Sequence, residues 1–378
     1  MIPRNACAAL LLSAAVASGS AQAEPGVTKD SILIGQSAPL SGVNASLGEE
    51  QRDGALAYFD YVNKRGGVHG RKILLKTVDD GYVPGRTAAN VKTLIEKDRV
   101  FALFFLRGTS HVAEAAKIFG PARVPLFSCS CGALSLREPL NPYLFHTRAS
   151  FQDETDKILE HLATIGVKRI AVFYQADGFG KDGQLASERA SKRIGTEIVA
   201  QGAVPPNSVD VAKAVATVSK ADPQAVIMYT LYKPAVEFVK QMKKAGANPT
   251  FIALSPVGTN GLVKELGPDS RGVVVSQTVP YPWNPAIPVV KEYLNVLKSN
   301  PKTPVDFSTM EAYLAAKVLV EGLRRTGRDL TREKLIRAME SMKSYDVGGY
   351  EVGFSPSNHN GSTYVDLTVI GANGHVFH

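Results

Sequence analysis

From Ser31 onward, short apolar and β-branched runs alternate with longer stretches in which apolar residues return every three or four positions. SILIGQSA (31–38) reads as a strand. The spacing of Ala55, Tyr58, Phe59 and Val62 then predicts a helix over about 48–64, stopped by Gly66-Gly67. KILLKTVD (72–79), a helix over about 85–97, VFALFFL (100–106), a helix over about 111–119 and VPLF (124–127) continue the alternation. After Arg148 the rhythm restarts with a helix over 151–165, RIAVFY (169–174), a helix over 181–193, a strand near 196–200 and a helix over 210–219. AVIMY (225–229), a helix over 233–245, FIAL (251–254) and GVVVSQ (272–277) complete this second series. Residues 288–341 are mostly helical, and YVDLTVIG (364–371) returns to strand.

Strands joined by crossover helices make parallel sheets covered on both faces. Two alternations of similar size predict an α/β chain of two Rossmann-like, doubly wound lobes, which the late elements must rejoin. Sheets of this kind bind ligands outside the carboxyl ends of their strands, here the turns after residues 38, 106, 127, 174, 229 and 254.

The chain has 378 residues, more than one core usually serves, so two domains are the expectation. Residues 1–23, MIPRNACAALLLSAAVASGSAQA, read as a cleavable signal peptide: an early Arg, a short apolar run and an A-x-A site before Glu24. That predicts an exported protein. Cys7 leaves with the signal, and Cys129 and Cys131 remain. An apolar content of 44% with 21% charged residues describes a globular protein. The net charge of +8 is scattered, with Lys240, Lys243 and Lys244 near Glu237, and Arg324, Arg325 and Arg328 interleaved with Asp329 and Glu333. A nucleic-acid partner would need one basic face with stacking aromatics, so none is expected.

The pair of cysteines lies in FSCSCGALS (127–135). A zinc site needs four ligands in paired spacings, and the seven histidines supply no such pair, so no metal is expected. A disulfide between residues i and i+2 of an extended segment would be strained, because their side chains point to opposite faces. No Cys/His nucleophile signature is readable, and burial as small hydrophobes is the default. Gly178-Phe-Gly-Lys-Asp-Gly183 spells G-x-G-x-x-G, but three residues separate it from the strand, and Glu197 opens the next strand where a dinucleotide site needs an acid at its close. NAD is therefore not expected, and no cofactor is. Four turns rich in small hydroxyl residues remain: 38–50, 107–114, 128–133 and 253–260. Each follows a strand and precedes a helix, where backbone N–H groups hold anions, although N-capping alone enriches Ser and Thr there.

ILIGQSAPLSG (32–42), VNKRGGVHGRKI (62–73), VDDGYVPGRTAAN (78–90), VFALFFLRGTS (100–110), FHTRASFQDE (145–154) and RIAVFYQADGFGKDG (169–183) together resemble the leucine/isoleucine/valine-binding type of periplasmic solute receptor for ABC importers. The similarity runs on through KELGPDSRGVVVSQTVPYP (264–282) and MEAYLAAKVLVEGL (310–323). It implies a type I periplasmic binding protein with three hinge crossovers near 146–148, 277–280 and 352–356. One lobe would comprise about 27–146 with 280–352, the other 147–279 with 353–378. It further implies a monomeric, non-enzymatic receptor that closes on a small carboxylate and presents it to permease subunits at the membrane. Thr109, Ser110, Ser130, Cys131 and Gly132 occupy the positions that hold a ligand carboxylate in relatives, which would make Cys129 a packing residue.

The departures bear on the ligand. Asp177-Gly-Phe179-Gly180 replaces a D-x-x-Tyr-Gly pattern, and Leu254-Ser255-Pro256-Val257 lacks the acid that pairs the ligand ammonium in relatives. Leu47 replaces an aromatic, and Tyr232 stays where a contacting tyrosine is expected. The resemblance thus implies a branched-chain or hydrophobic amino acid, with Asp177 as replacement acid, or an amine-free aromatic or aliphatic carboxylate. A ligand sensor for a membrane signalling partner uses the same lobes and is the alternative.

Overall fold

The computed structural model describes residues 24–378; residues 1–23, expected to be a signal peptide, lie outside the described residues. The chain runs β1 (Ser31–Ala38), α1 (Ala45–Asn63), β2 (Lys72–Asp79), α2 (Pro84–Glu96), β3 (Ala102–Arg107), α3 (Thr109–Phe119), β4 (Leu126–Ser130) and β5 (Leu144–Phe145). These strands form one parallel sheet in the order β2-β1-β3-β4-β5. Every residue of β3 is buried: the apolar run Ala102–Leu106 as a strand covered on both faces should be, and the closing Arg107 with it.

The second series is α4 (Phe151–Thr164), β6 (Arg169–Gln175), α5 (Gly178–Ile194), β7 (Glu197–Val204), α6 (Ala212–Lys220), β8 (Ala225–Tyr229), α7 (Tyr232–Lys244), β9 (Thr250–Ala253), α8 (Thr259–Leu266) and β10 (Val274–Gln277). Helices α9 (Pro288–Leu297), α10 (Phe307–Thr326) and α11 (Arg332–Glu340) return to the first sheet, and a two-stranded ribbon follows, β11 (Tyr345–Asp346) with β12 (Glu351–Val352). Finally β13 (Asp366–Ile370) and β14 (Val376–Phe377) join the second sheet, ordered β14-β13-β10-β9-β8-β6-β7, with β13 antiparallel to β10.

Each sheet carries an apolar cluster on either face. One face of the first sheet packs α1, α9 and α10 through Tyr58, Tyr293 and Tyr313; the other packs α2 and α3 through Val91, Leu94, Val112 and Phe119. The second sheet is sandwiched in the same way. Helix α1 crosses α10 so closely that a side chain on Gly54 would meet the Thr309 carbonyl at 2.3 Å. Among the described residues no helix is long and apolar enough to cross a membrane.

The carboxyl ends of β3 and β4 are bent. Phe105 and Ser128 lie side by side between the paired positions Phe104–Phe127 and Leu106–Cys129, and both adopt left-handed backbone, with φ of 49° and 61°. Such conformations cost on the order of 1–3 kcal/mol each in non-glycine residues and persist where surrounding structure enforces them. Here the bend lies two residues before Arg107 and Ser130, at the edge facing the second sheet.

Candidate functional site

The strand ends of the two sheets face each other, and hydrogen bonds sew the lobes together across the cleft. Asn44 Nδ2 donates to Asn207 Oδ1 at 3.1 Å, and Asn207 Nδ2 donates to the Tyr82 carbonyl at 3.1 Å. The Tyr232 hydroxyl donates to the Val43 carbonyl at 3.2 Å and lies 3.3 Å from Ser46 Oγ. Gly178 N–H donates to Ser110 Oγ at 3.0 Å, and Arg107 Nη2 to the Pro256 carbonyl at 2.6 Å. On one flank Asp182 accepts from Leu134 N–H at 3.0 Å and Ser135 Oγ at 2.8 Å.

Most of the residues singled out from sequence line this seam. Leu47 is buried against the second lobe, its Cδ2 lying 2.3 Å from where a Gly258 side chain would start, so that glycine makes room for it. Thr109 opens α3 after Gly108, whose φ of 93° suits glycine, and its Oγ1 is buried without a partner. Ser130 Oγ accepts from Arg107 Nη1 at 3.1 Å. The Gly132 carbonyl accepts from Phe151 N–H at 2.7 Å, and a side chain at Gly132 would strike the Phe151 ring. Phe179 packs against Phe151 with ring centroids 4.7 Å apart.

Three of these residues are committed to the framework. Asp177 caps α5, its Oδ1 accepting from Phe179 and Gly180 N–H at 2.9 and 3.2 Å and its Oδ2 from Gln175 Nε2 at 2.5 Å. Ser255 bonds through its amide and hydroxyl to Glu154 at 3.0 and 3.1 Å, and its hydroxyl also meets Arg148. Cys131 is joined to Cys129 by a disulfide, against the expectation that such a bond would be strained and with Cys131 thereby tied to the framework instead of free for a ligand. That expectation assumed an extended segment. Strand β4 stops at Ser130, and the two Cα atoms approach to 5.2 Å, inside the range a disulfide needs. His146 Nδ1 lies 3.7 Å from Cys129 Sγ, so these three side chains are neighbours, with the sulfurs bonded to each other. The loop closed is so short that reduction should cost only about 1–2 kcal/mol. Urea unfolding with and without a phosphine reductant measures it.

The G-x-G-x-x-G run serves packing. Side chains at Gly180 and Gly183 would meet the Gln175 carbonyl at 1.8 Å and the Tyr229 ring at 2.1 Å, so these glycines let α5 lie against its sheet.

The electrostatics of the cleft rest on residues that the sequence reading passed over. Arg148 is fully buried, pairs with Glu154 at 2.7 Å, and reaches Glu311 on α10 at 3.1 Å. Burial works against its guanidinium, but Glu311 and Glu154 outweigh that and hold it above the ordinary value. Burial pushes Glu311 up, opposed by Arg148. Arg107 is 2% exposed and has no ion-pair partner among the described residues, and burial pushes it down. Burial, with Asp306 nearby, raises Glu50 to about 8, and burial also raises Asp306. Glu50 Oε2, both polar atoms of Gln51, Arg107 Nε, both ring nitrogens of His111, Thr230 Oγ1 and Asp306 Oδ2 are buried without partners among the described residues. Buried polar groups are normally satisfied, so such a concentration from both lobes points to a solute-binding cleft.

The family model for periplasmic binding proteins matches residues 31–375. The chain belongs to the periplasmic binding protein family. The fold of this periplasmic binding protein is type I, two α/β lobes of the leucine/isoleucine/valine-binding kind. It is 24% identical over 350 residues to Leu/Ile/Val-binding protein homolog 8 of Brucella abortus, covering 87% of this chain and 85% of that one. The crystal structure of a substrate-binding periplasmic protein from Ralstonia solanacearum is 35% identical, with a TM-score of 0.87 and coverage of 91% and 99%. That of a possible leucine/isoleucine/valine-binding protein from Rhodopirellula baltica is 28% identical, with a TM-score of 0.88 and coverage of 95% and 98%. In this binding protein an arginine closing an otherwise apolar strand, FALFFLR, was the available signal for Arg107. Arg148 meets Glu154 six residues on but Glu311 only far along the chain, and Asp306 caps the start of α10, so no local pattern marked either as part of the cleft.

Tyr232→Phe removes the hydroxyl that joins α7 to Val43 and Ser46. Loss of one hydrogen bond of about 1 kcal/mol should shift the closed-to-open ratio about fivefold toward open. Solution scattering of wild type and variant checks this through the radius of gyration.

Proposed function

We propose that this protein is the periplasmic, non-enzymatic substrate-binding component of an ABC importer. It takes a branched-chain or other hydrophobic amino acid, or a related small carboxylate, into the cleft between its lobes and delivers it to permease subunits. The observation that carries the reading is the cleft itself: hydrogen bonds from both lobes surround buried, partnerless polar groups that also come from both lobes. A solute bridging those groups stabilises the closed form by its differential affinity, and a permease can distinguish closed from open. We place the hinge at the crossovers near 146–148, 277–280 and 352–356, with Thr109, Ser110, Ser130 and Gly132 at the carboxylate.

An amine-free carboxylate is favoured as a second reading by the committed state of the acids near the expected ammonium position. Asp177 caps a helix, and Glu154 is saturated by Arg148, Ser255 and Ser276. Calorimetric titration of stripped, refolded mature protein with L-leucine and with 4-methyl-2-oxopentanoate separates the two readings. Binding of leucine alone assigns an amino acid receptor, and binding of the oxo acid alone assigns an amine-free one. If neither binds, branched-chain acids are excluded as the class.

A further inference from the structure

Arg107 is a cation whose charge the protein leaves uncompensated. Its guanidinium is buried at the end of β3, held by Ser130 Oγ from the first lobe and by the Pro256 carbonyl from the second. Both acceptors are neutral, and Nε has no partner. The charged groups around it do not repair this. Glu311 is engaged by Arg148 at 3.1 Å, Arg148 adds a second positive charge, and Tyr82 is a buried phenol held well above its usual range by burial. Glu50, raised by its surroundings to about 8, is largely protonated at neutral pH. A buried guanidinium without an ion pair is costly, and arginine is seldom fully buried unless paired.

Two residues further on, α3 begins, an eleven-residue helix whose first-turn N–H groups have no partner inside the helix. Thr109 Oγ1, 4% exposed and partnerless, stands at that helix start. A guanidinium with a free Nε, an unpaired hydroxyl and a helix N-terminus therefore lie within three residues of one another, Arg107 to Thr109, at the end of β3.

We infer that Arg107 is the specificity-determining residue of this cleft, pairing through its free Nε with the anionic group of a small organic carboxylate that also takes Thr109 Oγ1 and the first N–H groups of α3. The inference rests on the receptor reading above and deepens it: the solute is selected for its negative charge, and because Arg107 also holds the second lobe, charge recognition and closure are coupled. A charge-assisted pair of this kind is worth enough to separate a carboxylate from its neutral amide by about 10- to 100-fold in affinity.

The test is thermal unfolding of the stripped mature protein in L-leucine, 3-methylbutanoate and benzoate, each compared with its own carboxamide, for wild type, Arg107→Gln and Arg107→Lys. At least one carboxylate should raise the melting temperature of wild type while its amide does not. Arg107→Gln should lose about 10- to 100-fold in apparent affinity, and Arg107→Lys should keep part of the response. Without solute, Arg107→Gln loses hydrogen bonds to Ser130 and Pro256 but also an uncompensated buried charge, so its melting temperature should stay close to that of wild type. A melting point of solute-free Arg107→Gln lower by more than the two lost hydrogen bonds account for, about 10 °C, would make Arg107 structural and overturn the assignment. Equal stabilisation of wild type and Arg107→Gln by a carboxylate, or equal action of acid and amide, would also overturn it while leaving the receptor reading standing. If no acid or amide acts on wild type, the assignment falls. The receptor reading falls with it only if the protein purified from periplasm also carries no small molecule by mass spectrometry.

Discussion

Arg148→Met should destabilise the protein by about 3–5 kcal/mol, the largest loss expected from any single substitution here. The side chain is fully buried and is the only cation, among the described residues, paired with Glu154 and Glu311. Glu154 is further fixed by Ser255 N–H at 3.0 Å and Ser276 Oγ at 2.6 Å, so it cannot swing out to water when Arg148 is removed. Two carboxylates would be left in the interior, and their cost should grow as pH rises through the carboxylate range, since only their ionised forms are penalised. Urea unfolding at pH 5 and pH 8 measures both the loss and its direction. Adding Glu154→Gln and Glu311→Gln to Arg148→Met should recover most of the stability, because a neutral trio leaves no charge behind. An unchanged unfolding midpoint in Arg148→Met would refute the account. Arg148 also connects Glu311 on α10 with Ser255 at the end of β9, so the same triad ties the first sheet's helix layer to the second sheet's turn.

The fold was legible because its signals are local. Residues 31–38 and 72–79 are strands to the residue, and the helix expected over 151–165 occupies Phe151–Thr164. The late return to strand is β13, in the second sheet. Short elements escaped: β5, β11, β12 and β14 have two residues each, too few to show a period. The site was only partly legible. The turns after β3 and β4 offered Thr109, Ser110 and Ser130, and the family resemblance offered Tyr232; Ser110 and Tyr232 bond across the seam, and Ser130 holds Arg107, which does so too. Two other features could not be read. Whether Cys129 and Cys131 can bond depends on where pleating stops, a matter of one residue at Ser130. Whether an acid is available to a solute depends on who else holds it, and Asp177 and Glu154 are held by groups that a linear pattern does not connect.

Glu50 illustrates the same point through pH. Glu50→Gln should leave stability unchanged near pH 4 and raise it at pH 8. Glu50 lies on α1 and is partly buried, with Oε2 buried and partnerless. Burial lifts its carboxyl from 4.5 to about 8, Asp306 and Glu49 reinforce that, and Arg107 and the Ser308 hydroxyl oppose it. A raised carboxyl binds its proton more tightly in the folded than in the unfolded state, so its contribution is full below the unfolded value of 4.5 and is lost as pH rises toward 8. At about 1.36 kcal/mol per pH unit the shift corresponds to at most about 5 kcal/mol, and partial exposure cuts this to about 2 kcal/mol. Gln keeps the size and the neutral charge without a proton to lose, so the variant should gain that difference. His111, lowered by burial, titrates in both proteins and cancels from the comparison. Denaturant unfolding of both proteins from pH 4 to 9 decides the matter, and parallel curves would show an ordinary surface carboxylate. A Glu50 that stays protonated at neutral pH presents a hydroxyl donor beside Arg107, which keeps this end of the cleft positive and open to an anion.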